Sequence, residues 1–273
     1  MKKIRIRKMG SVLCIGILLI LTNAPAFASS SKTLDDYKND YAIYQYATDD
    51  AEILIGFLSE ALQTYPEDEE FRGDLITLLM DNEKYKELAD CTEEGLIANP
   101  NNAYYAYCNL CANEIVGTAE AKITSSERLY HMCGPLIEES DDIESILLKN
   151  SDKYRYCMEA QRVSGTTYLL EMDDLTSAML HFDWIIDRAT ECDVSIQTAL
   201  TCYMQLIYYY GMSKNDLEMK KWTDAFMALC ETAKKDEKLK HALEPMSRSI
   251  EFIDQLDSAE GMNWFKQNID KVE

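Results

Sequence analysis

The segment CNLC, Cys108 to Cys111, has the C-x-x-C spacing shared by thiol redox centres and zinc sites. A redox pair follows a strand and opens a helix, where the helix N-terminus depresses the thiol pKa. Here the surrounding residues read as helix on both sides, so the spacing falls mid-helix and lacks that device. Cys91, Cys108, Cys111 and Cys133 offer zinc-type ligands, but no second compact C-x-x-C completes a set. The three histidines, His131, His181 and His241, form no H-E-x-x-H, and no G-x-S-x-G or phosphate loop occurs. His181 sits beside Phe182 on an amphipathic segment, a boundary position. Carboxylates are abundant, yet no stretch pairs them for acid–base work. No catalytic residue, metal or cofactor is therefore assigned, and the chain is not expected to be an enzyme.

The N-terminus has a different purpose. Residues MKKIRIRK carry five cations and no acid, an apolar run from Val12 to Leu21 follows, and Ala26 and Ala28 stand at small-residue positions before a cleavage point. This is the pattern of a signal peptide over 1–28, cut after Ala28. The apolar run is shorter than the roughly 20 residues a membrane helix needs. Cys14 precedes the apolar core and follows Leu13, which argues against lipid attachment. The expectation is an exported protein: secreted, at the cell surface or periplasmic. No apolar tail or sorting pattern follows Gly261, so release or a periplasmic life is expected rather than covalent anchoring.

The whole chain carries a net charge of −21; removing the leader's five cations leaves −26. That excludes nucleic acid, which is held by Lys and Arg, and disfavours anionic membrane surfaces. With 47% apolar residues the chain can bury a core. Five prolines, ten glycines and no sustained alternation of β-branched residues indicate an all-α protein.

The elements that would position any site show a repeat. SEALQTYPED at 59–68 and EEGLIANPNN at 93–102 align 34 residues apart, with Pro66 over Pro100. Ala51, Leu54, Ile55, Leu58, Ala61 and Leu62 fall at offsets 0, 3, 4, 7, 10 and 11, one helical face; Tyr85, Leu88, Ala89, Thr92, Gly95 and Leu96 repeat them. Each proline ends its helix, and a further helix precedes each, LDDYKNDYAIYQYA and EEFRGDLITLLMDN. The third unit starts on period at Ala103 and then departs. TSSE at 124–127 reads as a capping box opening a helix that Gly134-Pro135 interrupts, and 140–151 reads as an insertion with one short helix. Leu175 to Ile186 regains the offsets; pairs at about 194–212 and 215–234 and capping helices at about 237–255 and 258–271 follow.

A 34-residue helix pair closed by proline resembles the tetratricopeptide repeat. YKELADCTEEGLIANP, Tyr85 to Pro100, carries the resemblance, with Leu75 on the preceding helix. It departs from the family at Leu88 and Gly95, where alanine is preferred, at Thr92, where an aromatic is preferred, and at Ile76, where a small residue is. The resemblance covers 35–102 well and the rest loosely. It implies antiparallel helix pairs stacked as a solenoid, with repeats over 29–136 and a degenerate helical-pair region with capping helices over 137–273; a non-repeating helical bundle is the alternative.

In that family the first helix of each pair lines a concave groove. Those positions here are Asp36, Asn39, Asp40, Ile43 and Tyr46; Glu70, Asp74, Thr77 and Asp81; and Tyr104, Tyr107, Cys108, Cys111 and Glu114. The implied function is an exported scaffold offering an acidic, tyrosine-bearing groove to a basic or neutral protein or peptide. A structural or self-assembling envelope component and a small-molecule or carbohydrate binder are the alternatives. The same stacking brings Cys91 towards Cys108 and Cys111, so a Cys91–Cys108 or Cys91–Cys111 disulfide, and then Cys192–Cys202, are candidates beside free buried thiols.

Overall fold

The computed structural model describes residues 32–138, 143–256 and 258–268. The leader with Cys14, Ala26 and Ala28, the first part of the 140–151 insertion and residues 269–273 lie outside the described residues. Among the described residues there are twelve α-helices, one 3-10 segment and no strand, and no helix is long and apolar enough to cross a membrane. The chain divides into two compact units after Asp49, each taken here by itself.

The first unit holds α1, Leu34–Ala47. Thr33 and Asp36 cap it reciprocally: the Asp36 amide donates to Thr33 Oγ1 and the Thr33 amide donates to Asp36 Oδ2 at 2.9 Å. These bonds hold the Asp36 carboxyl below the ordinary carboxylate range.

The second unit runs through α2 (Ala51–Thr64), α3 (Glu69–Asp81), α4 (Tyr85–Ala98), α5 (Ala103–Val116), α6 (Ala119–Glu138), α7 (Ile143–Leu170), α8 (Leu175–Ile186), α9 (Asp193–Met212) and α10 (Asp216–Lys235); a 3-10 turn (Lys240–Met246), α11 (Ser247–Leu256) and α12 (Ala259–Asn268) complete it. Each helix packs on the next, and α5 meets α7, and α7 meets α9, across the helix between them. This is an all-α helical-repeat arrangement of stacked pairs. Polar side chains start the helices: Asp50, Asp68, Asn102, Asp174 and Asn215 each accept an amide of the first turn.

Three pairs turn through a left-handed residue, the turn after α7 being one residue longer than the other two. Glu83, Asp173 and Lys214 take left-handed φ of 56°, 53° and 55° directly after α3, α7 and α9. In each case the following amide reaches back into the finished helix: Lys84 to the Leu79 carbonyl, Asp174 to Tyr168 and Asn215 to Tyr210, at 2.8–2.9 Å. The repeat therefore persists in backbone geometry after it has faded from the sequence.

Gly95, where alanine would suit the tetratricopeptide pattern, makes room for a buried arginine. Arg72 on α3 is 3% exposed; its Nη1 donates to the Cys91 carbonyl at 2.8 Å and Nη2 to the Pro66 carbonyl at 2.7 Å. A Cβ on Gly95 would lie 2.6 Å from Arg72 Cδ. Thr92, in place of an aromatic, is buried and bonds Asn109 Nδ2 at 3.1 Å. Asn109 Oδ1 accepts from Ser125 Oγ at 2.9 Å and from Asn113 Nδ2 at 3.1 Å, and Asn113 also donates to Ser125 Oγ at 2.8 Å. A polar network thus ties α4, α5 and α6 together at the junction where the repeat pattern prefers an aromatic in place of Thr92.

Four expectations are corrected. TSSE does not cap a helix: α6 already starts at Ala119, and Ser125 and Ser126 are buried inside it, Ser126 Oγ bonding the Lys122 carbonyl. Pro135 lies within the last turn of α6 without ending it. The described part of the insertion is continuous with α7, joined through a kink at non-helical Asn150 (φ −140°, ψ 35°). The helix expected at 237–255 is divided, a 3-10 turn containing Pro245 preceding α11, because proline lacks the amide an α-helix needs there.

Candidate functional site

The face built by α5, α7 and α9 gathers the groups best suited to hold a partner. On α5, Tyr104, Tyr107, Cys111 and Glu114 recur at offsets 0, 3, 7 and 10 and are all at least partly exposed, while Tyr105, Cys108, Asn109 and Ala112 point into the core. Cys108, placed in the groove by the repeat reading, is fully buried instead. The Tyr104 and Tyr107 side chains lie near the cysteine one turn on, Cys108 and Cys111. Burial raises the Tyr104 hydroxyl and the Cys108 thiol to about 12 each, and pushes Cys111 up as well. At neutral pH both C-x-x-C sulfurs are protonated thiols, the opposite of an activated thiolate.

α7 supplies the other half. Tyr156 stacks on Tyr107 with centroids 4.3 Å apart and planes at 18°. Arg155 lies over both rings, 5.6 Å from Tyr107 and 5.7 Å from Tyr156. Two turns on, Arg162 Nη2 donates to both Glu114 oxygens at 2.8 and 3.0 Å and Nε donates to Glu159 at 2.7 Å. Thr166 Oγ1 then donates to Gln205 Oε1 on α9 at 2.8 Å. The patch is a pair of tyrosines on α5 backed by Tyr156 and crossed by Arg155, with Arg162 between two glutamates beside it, and its charges are largely balanced.

The other groove residues are distributed. Glu70 and Asp81 are exposed on α3 and Asp74 is half-buried. Asp36, Asp40 and Tyr46 belong to the first unit: Asp36 is engaged in capping, Asp40 pairs with Lys32 at 2.9 Å, and Tyr46 is 92% exposed. Of the predicted residues, Tyr107 and Glu114 join a structured constellation through Tyr156 and Arg162, with Tyr104 beside them on α5. Arg155, Tyr156, Glu159 and Arg162 were not anticipated, because the repeat register is lost after 116. Their spacing of 0, 1, 4 and 7 within YRYCMEAQR was the available signal.

The eight described cysteines stand as free thiols. Cys192 is the N-cap of α9 and Cys202 lies within the same helix, about 15 Å along it, well beyond the roughly 7 Å that a bridge spans. Cys91 faces Arg72, with Nη1 3.9 Å from its sulfur, and the sulfurs of Cys108 and Cys111 face their tyrosines. No three His, Cys, Asp or Glu side chains converge as metal ligands among the described residues.

His181 is half-buried, its Nδ1 2.5 Å from Gln161 Oε1 and its ring stacked on Tyr168. Burial lowers its pKa, opposed by Glu127. It lines a hollow of about 260 Å³ with Ser126, Tyr130, His131 and Ser164.

Comparison with protein-family models, curated proteins and solved structures finds no match to this chain.

Proposed function

We propose that this protein is an exported, tetratricopeptide-like scaffold that holds a protein or peptide partner on the α5–α7–α9 face. The observation that carries the reading is the Tyr107–Tyr156 stack with Arg155 across it. Tyrosine and arginine are the side chains most enriched where binding energy concentrates, because they offer large contact area with little entropy to lose. Tyr156 is itself buried, 7% exposed, and backs the half-buried Tyr107, which holds the exposed part of the patch rigid before any partner arrives and lowers the cost of ordering it. The acids of α3 and the net charge favour a basic or neutral partner. The leader pattern is the basis for export.

The test is affinity capture from the host's envelope and medium fractions, with protein from Ser29 onward as bait beside a Tyr104→Ala/Tyr107→Ala/Arg155→Ala variant. A partner retained by the first and lost by the second is expected. A partner kept by both moves the interface elsewhere. N-terminal sequencing of the native protein checks export: a start at Ser29 is expected, and an intact Met1 would overturn it.

A further inference from the structure

A second place on the larger unit is shaped to receive something. A cleft of about 750 Å³ runs along the edge where the first turns of α7 and α9 meet the end of α10. Its apolar lining comes from Leu147 and Leu148 before the Asn150 kink, and from Val194 and Leu239. Leu239 is buried, whereas Leu148 is 85% exposed. The insertion that interrupts the repeat thus contributes one wall of the cleft and leaves a leucine in water at its lip.

Four carboxylates surround this apolar lining: Glu144, Glu191, Asp193 and Asp236. The one cation among the lining residues, Lys238, is already paired with Glu144 at 3.1 Å. Two of the acids are held in place. The buried Tyr154 donates its hydroxyl to Glu191 at 2.6 Å, and the Lys238 amide donates to Asp236 at 2.8 Å. An occupant must therefore bring apolar side chains inward and positive charge to the flanks. An anionic lipid surface would be repelled by this rim, and a second copy of so acidic a chain would bring the wrong charge.

We infer that this cleft docks a cationic amphipathic segment of a partner protein, its leucine-type side chains seated between Leu147, Leu148 and Val194 and its lysines or arginines facing the four carboxylates. The site is separate from the tyrosine–arginine face and does not depend on it. The scaffold then has two docking places of different chemistry.

The probe is a fluorescent synthetic helix with leucine along one face and lysine on the other, read by anisotropy. The control is a peptide of the same composition with the leucines scrambled. The ordered peptide should bind at least about tenfold more tightly than the scrambled one, and Leu148→Glu should remove about that factor. Leu148→Met should bind as wild type, and so should the Tyr104→Ala/Tyr107→Ala/Arg155→Ala variant. Circular dichroism melts confirm that each variant is folded; Leu148 is exposed enough for the substitution to be tolerated. Equal affinity for ordered and scrambled peptides would mean that only the general negative field attracts them, and the inference fails. It fails equally if Leu148→Glu binds as wild type, or if the tyrosine–arginine variant is the one that loses the probe.

Discussion

Arg72 and Arg162 are both withdrawn from solvent, but they hold the stack in different ways. Arg72 donates to neutral carbonyls of Cys91 and Pro66 and fastens the end of one helix pair to the next, with its nearest carboxylate, Glu94, 3.9 Å away. Arg162 instead sits between Glu114 and Glu159 and links α5 to α7 through charge. The first lies where the sequence repeat is legible and the second where it has faded. Regularity in the sequence therefore follows the packing of the apolar faces, while polar fastenings are fitted locally to whatever each junction leaves unsatisfied.

The largest predicted effect tests that contrast. Arg72→Met should destabilise by about 2–4 kcal/mol, because it strands two carbonyls that water reaches poorly. Arg162→Met should cost about 1–2 kcal/mol, since Glu114 and Glu159 keep access to solvent that screens their repulsion. Urea unfolding measures both, and a larger loss at Arg162 would break the comparison. Next comes Asn109→Ala, expected to cost about 1–3 kcal/mol by leaving Thr92 and Ser125 underbonded; a neutral outcome in the same urea series would show that the network contributes nothing net.

Smaller effects sharpen the picture. Glu83→Gly, Asp173→Gly and Lys214→Gly should each stabilise by up to about 1 kcal/mol, because glycine enters the left-handed region without a Cβ clash. Similar gains in melting temperature at all three would establish the turns as equivalent despite their unlike sequences. The smallest effect is expected at His181. Burial holds its folded pKa below the unfolded value of about 6.5. Its contribution to stability is therefore complete above that pH and is lost as pH falls through it towards the lower folded value. Melting profiles of His181→Gln should show a shallower decline over that window than wild type.

Much of the fold was legible because helical offsets and proline punctuation are local signals. The bounds of α1 to α5 follow from them, and the pairs from Leu175 onward were recoverable by period alone. Two kinds of information were not local. Ser125 and Ser126 have the sequence of a cap, but Ser125 is buried against α5 and Ser126 faces α7 and α8, which makes them packing residues, and only tertiary context separates the two roles. Likewise Arg155 and Tyr156 are ordinary surface types until α5 brings Tyr107 beneath them. Cys192 and Cys202 stand at the start and in the interior of one helix, α9, so helix rise alone keeps their sulfurs apart. The tyrosines of α5 could be nominated from the repeat, but their braces came from a helix whose register no repeat fixed.

The network of Thr92, Asn109, Asn113 and Ser125 has one more consequence. Apolar helix faces can slip past one another by a turn and still find contacts, whereas these four side chains satisfy one another in a single alignment. They act as a key between α4, α5 and α6. Such a key limits what duplication can do with the repeat: a copied α4–α5 pair set beside any helix other than α6 would keep Thr92, Asn109 and Asn113 together but lose Ser125, leaving both asparagines a partner short in the core. The segment that looks most like a transferable module is thus the one least free to be moved.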